Sequence, residues 1–215
     1  MNMIGKKLSD FSTLDEAVIE EILAIAKTRP YIFFDMDGTI LNSEPLHYEV
    51  VKSLCQGKKI PSMEETYGMS DGEVFPMIQE ALGLNHLDEY LTKKNEALVK
   101  LIGQSDANNI RHRNIHSLLK RLKDSDIRLA LVTASQYEVT HPILKHCELD
   151  CYFEKIITER EVDKTKPDPA PYLLAQDFFK AQTHECLIFE DSPTGIEAAQ
   201  RAGIDHVVVK WFEGE

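Results

Sequence analysis

Hydrophobic positions along this chain recur with two different periods, and their alternation predicts the fold. Residues 13–28, TLDEAVIEEILAIAKT, place Leu14, Val18, Ile22 and Ile25 three or four apart, the stripe of an amphipathic helix. Thr13 and Glu16 have the spacing of a capping box at its start, and Pro30 suits its end. YIFF at 31–34 is a short continuous apolar run, the first expected strand. Residues 46–112 then carry mainly helical patterns in LHYEVVKSLC, DGEVFPMIQEALG and HLDEYLTKKNEALVKLIG, with Gly57, Gly83 and Gly103 suited to helix ends. From 114 onward the texture alternates. NIHSLLKRLKDSD (114–126) reads as a helix and IRLALVT (127–133) as a buried strand. YEVTHPILKHCE (137–148) is a helix with Pro142 at an early turn or kink, and KIIT (155–158) a short strand. APYLLAQDFFKAQ (170–182) and SPTGIEAAQRAG (192–203) are helices that precede the strands CLIFE (186–190) and HVVVK (206–210) respectively, the first across a short connection. Apolar strands separated by helices of this length predict an α/β fold, a doubly wound parallel sheet with helices on both faces.

Composition narrows the partners. A chain of 215 residues, 43% hydrophobic, is long enough for one α/β domain or a core with a smaller insertion. Its formal charge of −12 argues against a nucleic-acid backbone as partner, which calls for a basic face, but leaves room for small anions at a local positive site. No apolar run reaches the roughly 20 residues of a membrane span. The N-terminal residues lack the apolar stretch of a signal peptide. The four cysteines, Cys55, Cys147, Cys151 and Cys186, are therefore expected as reduced thiols in a cytoplasmic protein. Cys147 and Cys151 have a spacing that can share a helix face, yet no second Cys or His pair has zinc-site spacing, so packing is the expected role.

The chemistry enters where the apolar runs end. YIFF finishes on Asp35, with Asp37 one residue further; LALV finishes on Thr133; LIF finishes on Glu190 and Asp191. In a doubly wound sheet, ligands bind beyond the carboxyl ends of the strands, so these polar residues are delivered to one rim. An acid after a single strand is as readily a helix cap as a functional group; three together are a site. Carboxylates crowded on one rim repel unless a cation joins them, and Asp35, Asp37 and Asp191 are hard oxygen ligands suited to Mg²⁺. Lys166, held extended before Pro167 in DKTKPDPAPY (163–172), can balance the remaining charge.

Those residues carry a resemblance. DMDGT at 35–39, Thr133 in LVTAS, Lys166 in TKPDPAPY and Glu190-Asp191 in FEDSPTGIEAAQRAG are similar, in order and spacing, to the four motifs of the haloacid dehalogenase-like hydrolase superfamily. The resemblance runs from about residue 31 to 210, in the branch of phosphoglycolate phosphatase and β-phosphoglucomutase. It implies a Rossmann-like catalytic core formed by residues 1–45 and 113–215, with 1–29 a helical extension, and an α-helical cap inserted over 46–112. It assigns Asp35 as a nucleophile that becomes an aspartyl phosphate, and Asp37 as general acid and then base. The aspartate at 37 argues against dehalogenase chemistry, in which no alkoxide leaves. Gly38 would let the backbone approach the phosphate, while the Thr133 hydroxyl and the Ala134 N–H would bind phosphoryl oxygens. Lys166 would keep Asp35 ionised. Mg²⁺ would lie between Asp35, the Asp37 carbonyl and Asp191, with Glu190 bound directly or one shell out.

Glu44 and His47, in NSEPLHY, fall at the cap hinge, where His47 can touch substrate or assist Asp37, or simply pack. The other histidines are expected at the surface. Two departures bear on function. The mutases of this branch carry an arginine in a G-x-S-R type cap segment, where this chain has YGMSDGEVF (67–75) with Asp71 after Ser70. After the second motif they often carry Lys-Asn, where this chain has Gln136-Tyr137. Weaker grip on a second phosphate favours a phosphatase of a small phosphorylated metabolite over a phosphomutase. A silent binding module on the same fold is disfavoured because nucleophile, acid, lysine and metal aspartate are all present. Arg111 and Arg113, in RHRNI before the core helix, are expected to be solvated, with contact to an anionic substrate as the alternative. The oligomeric state is left open.

Overall fold

In the computed structural model, which describes residues 5–66 and 69–212, six parallel strands form one sheet in the order β1-β6-β5-β2-β3-β4. The chain begins with β1 (Lys7–Phe11) and α1 (Glu16–Ala26), then enters the sheet centre as β2 (Tyr31–Phe34). A helical block follows: α2 (Glu44–Leu54), α3 (Met63–Thr66), α4 (Asp71–Leu82), α5 (Leu87–Gln104) and α6 (Ala107–Ile110). The remainder alternates as expected: α7 (Ile115–Asp124), β3 (Arg128–Val132), α8 (Tyr137–His146), β4 (Lys155–Ile157), α9 (Ala170–Phe179), β5 (Cys186–Glu190), α10 (Pro193–Ala202) and β6 (His206–Val209). β5 and β6 are buried from end to end and β2 and β3 in all but their first residue, as a sheet covered on both faces requires. One apolar cluster lies under α1 and α7 and includes Ile19, Ile22, Phe34, Leu118 and Phe189. The opposite face packs Phe33, Val132, Tyr172 and Ala198 beneath α9 and α10.

Helices α2, α4 and α5 also share a small core of their own around Val51, Val74, Phe75, Ile78 and Tyr90. The two chain segments that connect this helical block to the sheet are tied to each other: Leu41 forms an antiparallel bridge with Arg111, and Asn42 N donates to Ile110 O at 2.6 Å.

Several local expectations need correction. The N-terminal 29 residues are not only helical, because Lys7–Phe11 adds an edge strand parallel to β6. Its sequence, KLSDF, has two apolar residues and a mostly exposed pattern, which is typical of a sheet edge and gives no strand signal. The first helix is capped by Asp15, whose side chain accepts from Val18 N at 3.0 Å, and the Thr13–Glu16 box does not form. Gly103 lies inside α5, which continues to Gln104. α8 runs through Pro142. Cys147 caps α8 and is buried while Cys151 is exposed in the following turn, so they share no helix face; all four cysteines are free. Arg111 is not solvated: its guanidinium bonds Cys147 O at 3.0 Å, Asn108 and His116, whereas Arg113 is exposed. Nor are all remaining histidines at the surface, since His112 and His206 are buried. Tyr67 and Gly68 of the YGMSDGEVF stretch lie outside the described residues. Among the described residues no helix is long and apolar enough to cross a membrane.

Candidate active site

β2 lies between β5 and β3, so its carboxyl end is the middle of the rim. Phe34 pairs with Leu131 on one side and Phe189 on the other, which brings Asp35, Thr133 and Glu190-Asp191 to one level. Asp35 N continues the ladder by donating to Phe189 O at 3.0 Å, so the first acid is held by a central strand and is buried. Lys166 Nζ reaches it from the loop before α9. The ammonium donates to Asp35 Oδ1 and Glu190 Oε1, both at 2.6 Å, and to Val132 O at 2.8 Å. All three of its protons are used, which is the condition for keeping a buried lysine charged. Burial alone would lower its pKa, but the Asp35 and Glu190 carboxylates outweigh that and raise it.

Glu190 is fully buried and saturated. Oε1 also accepts from Tyr172 OH at 2.6 Å, and Oε2 accepts from Asp191 N at 3.2 Å, Ser192 N at 3.3 Å and Ser192 Oγ at 3.1 Å. Its carboxylate lies against Gly195, where a Cβ would come within 1.8 Å of Oε1. Asp191 turns towards Gly38, where a Cβ would meet its Oδ2 at 2.1 Å; Gly38 also has φ +80°, so only glycine fits there in both respects. The turn at Gly38 is closed by Gly38 N donating to Leu41 O at 2.8 Å.

Asp37 has a different setting. Its carboxylate accepts from Ser43 Oγ, from Ser135 Oγ at 2.6 Å and from Thr133 Oγ1 at 3.4 Å. His47 Nε2 stands 3.9 Å from Asp37 Oδ1. Burial, helped by Lys94, lowers the His47 pKa to about 4, so its ring is neutral at physiological pH. The neighbouring Glu44, half-buried, is raised to about 7 by desolvation and by the nearby Asp37. Ala134 is exposed at the mouth, directly after Thr133.

The acids on the other side form a set with room for a cation. Asp35, Glu190 and Asp191 each offer an oxygen within 4.8 Å of the others. Asp35 Oδ2 is buried and lacks a hydrogen-bond partner. Burial, reinforced by mutual repulsion and by Glu190, lifts Asp35 to about 8 and Asp191 to about 9. An unpaired hard oxygen among acids that resist ionising fits a small divalent cation such as Mg²⁺. Because Glu190 already accepts five hydrogen bonds, Asp35 and Asp191 are the side chains with capacity to bind it.

The sequence profile of the haloacid dehalogenase-like hydrolases matches residues 32–209, which span every element of this rim. The chain belongs to that family. This haloacid dehalogenase-like hydrolase is 28% identical to a phosphorylated carbohydrates phosphatase of Thermotoga maritima, over 82% of each chain. It is 26% identical to the fructose-1-phosphate phosphatase YqaB of Escherichia coli, over 83% of this chain and 95% of the relative. Its fold is shared with the β-phosphoglucomutase of Clostridium difficile, at a TM-score of 0.71 and 24% identity over 86% of both chains.

The hydrolase thus gathers Asp35, Asp37, Gly38, Thr133, Ala134, Lys166, Glu190, Asp191 and His47 around one mouth. Sequence reading passed over Ser43, Ser135 and Tyr172, which hold Asp37 and Glu190 in place. Tyr172 closes the TKPDPAPY motif and Ser135 closes LVTAS, so the signal lay in motifs already singled out.

A pH prediction follows from the raised carboxylates. A group whose folded pKa exceeds its unfolded value binds more protons when folded, so it stabilises at low pH and this contribution is lost as pH rises. Metal-free protein should therefore lose stability from this site between the ordinary carboxylate range and about pH 8–9. Saturating Mg²⁺, binding the folded form alone, should restore roughly 3 kcal/mol at about 100 times its Kd. Thermal melts with and without Mg²⁺ should diverge more at pH 8 than at pH 5; equal divergence at both would contradict the cation assignment.

Proposed function

We propose that this hydrolase is a Mg²⁺-dependent phosphatase of a small phosphomonoester, working through an aspartyl phosphate on Asp35. One observation carries the reading: two aspartates, two residues apart, have been given opposite environments. Asp35 is clamped through Oδ1 by Lys166 with Oδ2 left open, while Asp37 is cradled by the hydroxyls of Ser43, Ser135 and Thr133. Pairs of carboxylates with divided surroundings divide the roles of nucleophile and acid–base.

In this reading the Asp35 carboxylate attacks phosphorus, a P–O bond forms to it, and the bond to the leaving oxygen breaks. Asp37 gives its proton to the departing alkoxide, then takes one from the water that attacks the aspartyl phosphate and releases inorganic phosphate. The P–O(alkoxide) bond is replaced by P–O(Asp35), and that in turn by P–O(water), so Asp35 and Asp37 return to their starting state. Thr133 Oγ1 and the Ala134 N–H donate to phosphoryl oxygens, and Lys166 offsets the charge gathered on Asp35 and the phosphoryl group. Bound to Asp35 and Asp191, Mg²⁺ would screen the repulsion between nucleophile and phosphate. Glu190, saturated with donors, holds Lys166 and orients the Asp191 loop. The helical block over 46–112 acts as a cap that excludes water and meets the leaving group, with His47 at its hinge.

Similarity to phosphatases of phosphorylated carbohydrates supports a metabolite-sized substrate. The test is phosphate release from a panel of phosphomonoesters, with Mg²⁺ and after chelation. Release that is Mg²⁺-dependent and lost to EDTA is expected. Conversion of a hexose 1-phosphate to its 6-phosphate without free phosphate would overturn hydrolysis in favour of a mutase.

A further inference from the structure

The helical block places one charge pair beside the site that the phosphatase reading does not use. Lys94 on α5 is buried, and among the described residues it is the block's only buried cation. Its ammonium pairs with Asp71 Oδ1, at the first turn of α4. Tyr90 OH donates to the same oxygen at 3.4 Å. Both Lys94 and Asp71 act electrostatically on Glu44 and His47, and these two stand against Asp37. The pair is therefore coupled electrostatically to the groups that flank Asp37. With Lys94 engaged, the carboxyl groups of Glu44 and Asp71 remain on this side, and the Asp71 side chain is 31% exposed.

A second observation agrees. A cavity of about 680 Å³ runs along α5 to Gln136, three residues after Thr133. Asp88, Thr92, Asn95, Glu96, Gln136 and Glu138 line it, with Leu91 and Val99, and no lysine or arginine is among its lining residues. Asn95, on the neighbouring face of α5 from Lys94, donates to Gln136 Oε1, and the carboxylates of Asp88, Glu96 and Glu138 give this lining a negative balance.

We propose that Asp71 is a specificity-determining residue: by neutralising Lys94 it confines the enzyme to phosphate esters of uncharged, hydroxyl-bearing alcohols and rejects substrates with a second anion. The inference rests on the phosphatase reading above and narrows it to one substrate class. Its physical basis is a repulsive element. A carboxylate or second phosphate on the leaving group would meet Asp71 and Glu44 with no free cation to receive it, and like charges brought together cost several kcal/mol. A sugar or polyol hydroxyl meets acceptors instead.

The test compares kcat/KM, read as phosphate release, for fructose 1-phosphate and glycerol 1-phosphate against phosphoglycolate, 3-phosphoglycerate and fructose 1,6-bisphosphate. Wild-type protein should favour the neutral alcohols by at least about tenfold, with the difference expressed in KM. Asp71→Asn, which frees Lys94, should raise the ratio of anionic to neutral substrates by roughly tenfold, and adding Lys94→Met should abolish that gain. Wild-type turnover of the anionic esters as good as that of the neutral ones overturns the inference without needing any variant. So does a folded Asp71→Asn protein, judged by its melting curve, with an unchanged ratio. p-Nitrophenyl phosphate separates the two levels: if wild-type protein fails to hydrolyse it and every ester, the phosphatase reading has failed; if it is hydrolysed while the anionic esters win, only the role of Asp71 has.

Discussion

Replacing Asp35 by asparagine should cut hydrolysis of p-nitrophenyl phosphate by at least ~10⁴-fold while the protein still folds, because removal of a covalent nucleophile disables a catalytic unit as a whole. Asparagine has nearly the shape of aspartate, so the backbone bond from residue 35 to Phe189 O is kept. Its side-chain oxygen can still accept from Lys166, which also keeps Glu190 and Val132 O. The amide brings no negative charge, so the repulsion that raises Asp35 and Asp191 disappears. Melting of metal-free Asp35→Asn at pH 8 should then equal or exceed that of the wild type. Rates and melts together separate the roles: a variant with more than about 1% of wild-type rate would show that Asp35 is not the nucleophile. A matching experiment at Asp37 distinguishes the partner, since loss of a general acid typically costs ~10²–10⁴-fold and falls hardest on esters with poor leaving groups.

Lys166→Met should have the largest effect on stability of any single change in the site. Among the described residues the ammonium is the one cation paired with Asp35 and Glu190, and its side chain is only 4% exposed. Removing one partner of a buried ion pair leaves uncompensated charge, at a cost of about 3–5 kcal/mol. For a chain of this size that corresponds to a fall in Tm of roughly 6–20 °C. Arginine should not rescue it. The Nζ meets three acceptors within 2.8 Å and lies 5.1 Å from the Tyr172 ring centroid, a space shaped for a compact ammonium, whereas a guanidinium is a wide planar fork. Mg²⁺ should recover part of the lost stability by binding the freed carboxylates, but not the rate. The measurement is thermal unfolding of both variants with and without Mg²⁺, and a loss under about 1 kcal/mol for Lys166→Met would show that the pair is not what holds the rim together.

The two experiments probe what was legible before any coordinates and what was not. Asp35, Thr133 and Asp191 could be brought to one rim from the chain alone, because each follows an apolar run and parallel strands end on the same side. Lys166 was legible through its motif, although its three acceptors come from three separate strand ends. Glu190 was read as binding metal directly or one shell out; that its carboxylate also accepts from Tyr172 and Ser192 is visible only in space. The N-terminal strand was missed because an edge strand needs little apolar surface, and β1 carries little. His206 was missed as an interior residue because β6 becomes central only when β1 covers its far side.

By itself the sequence determined the periodic elements, the parallel sheet and the family, since hydrophobic spacing and motif order are local properties written along the chain. Tertiary structure alone decided which charges cancel. Asp71 and Lys94 are 23 residues apart, and Asp37 and Ser135 are 98 apart. Electrostatic energy depends on distance through space and on the water excluded between groups, and neither can be read from position along the chain.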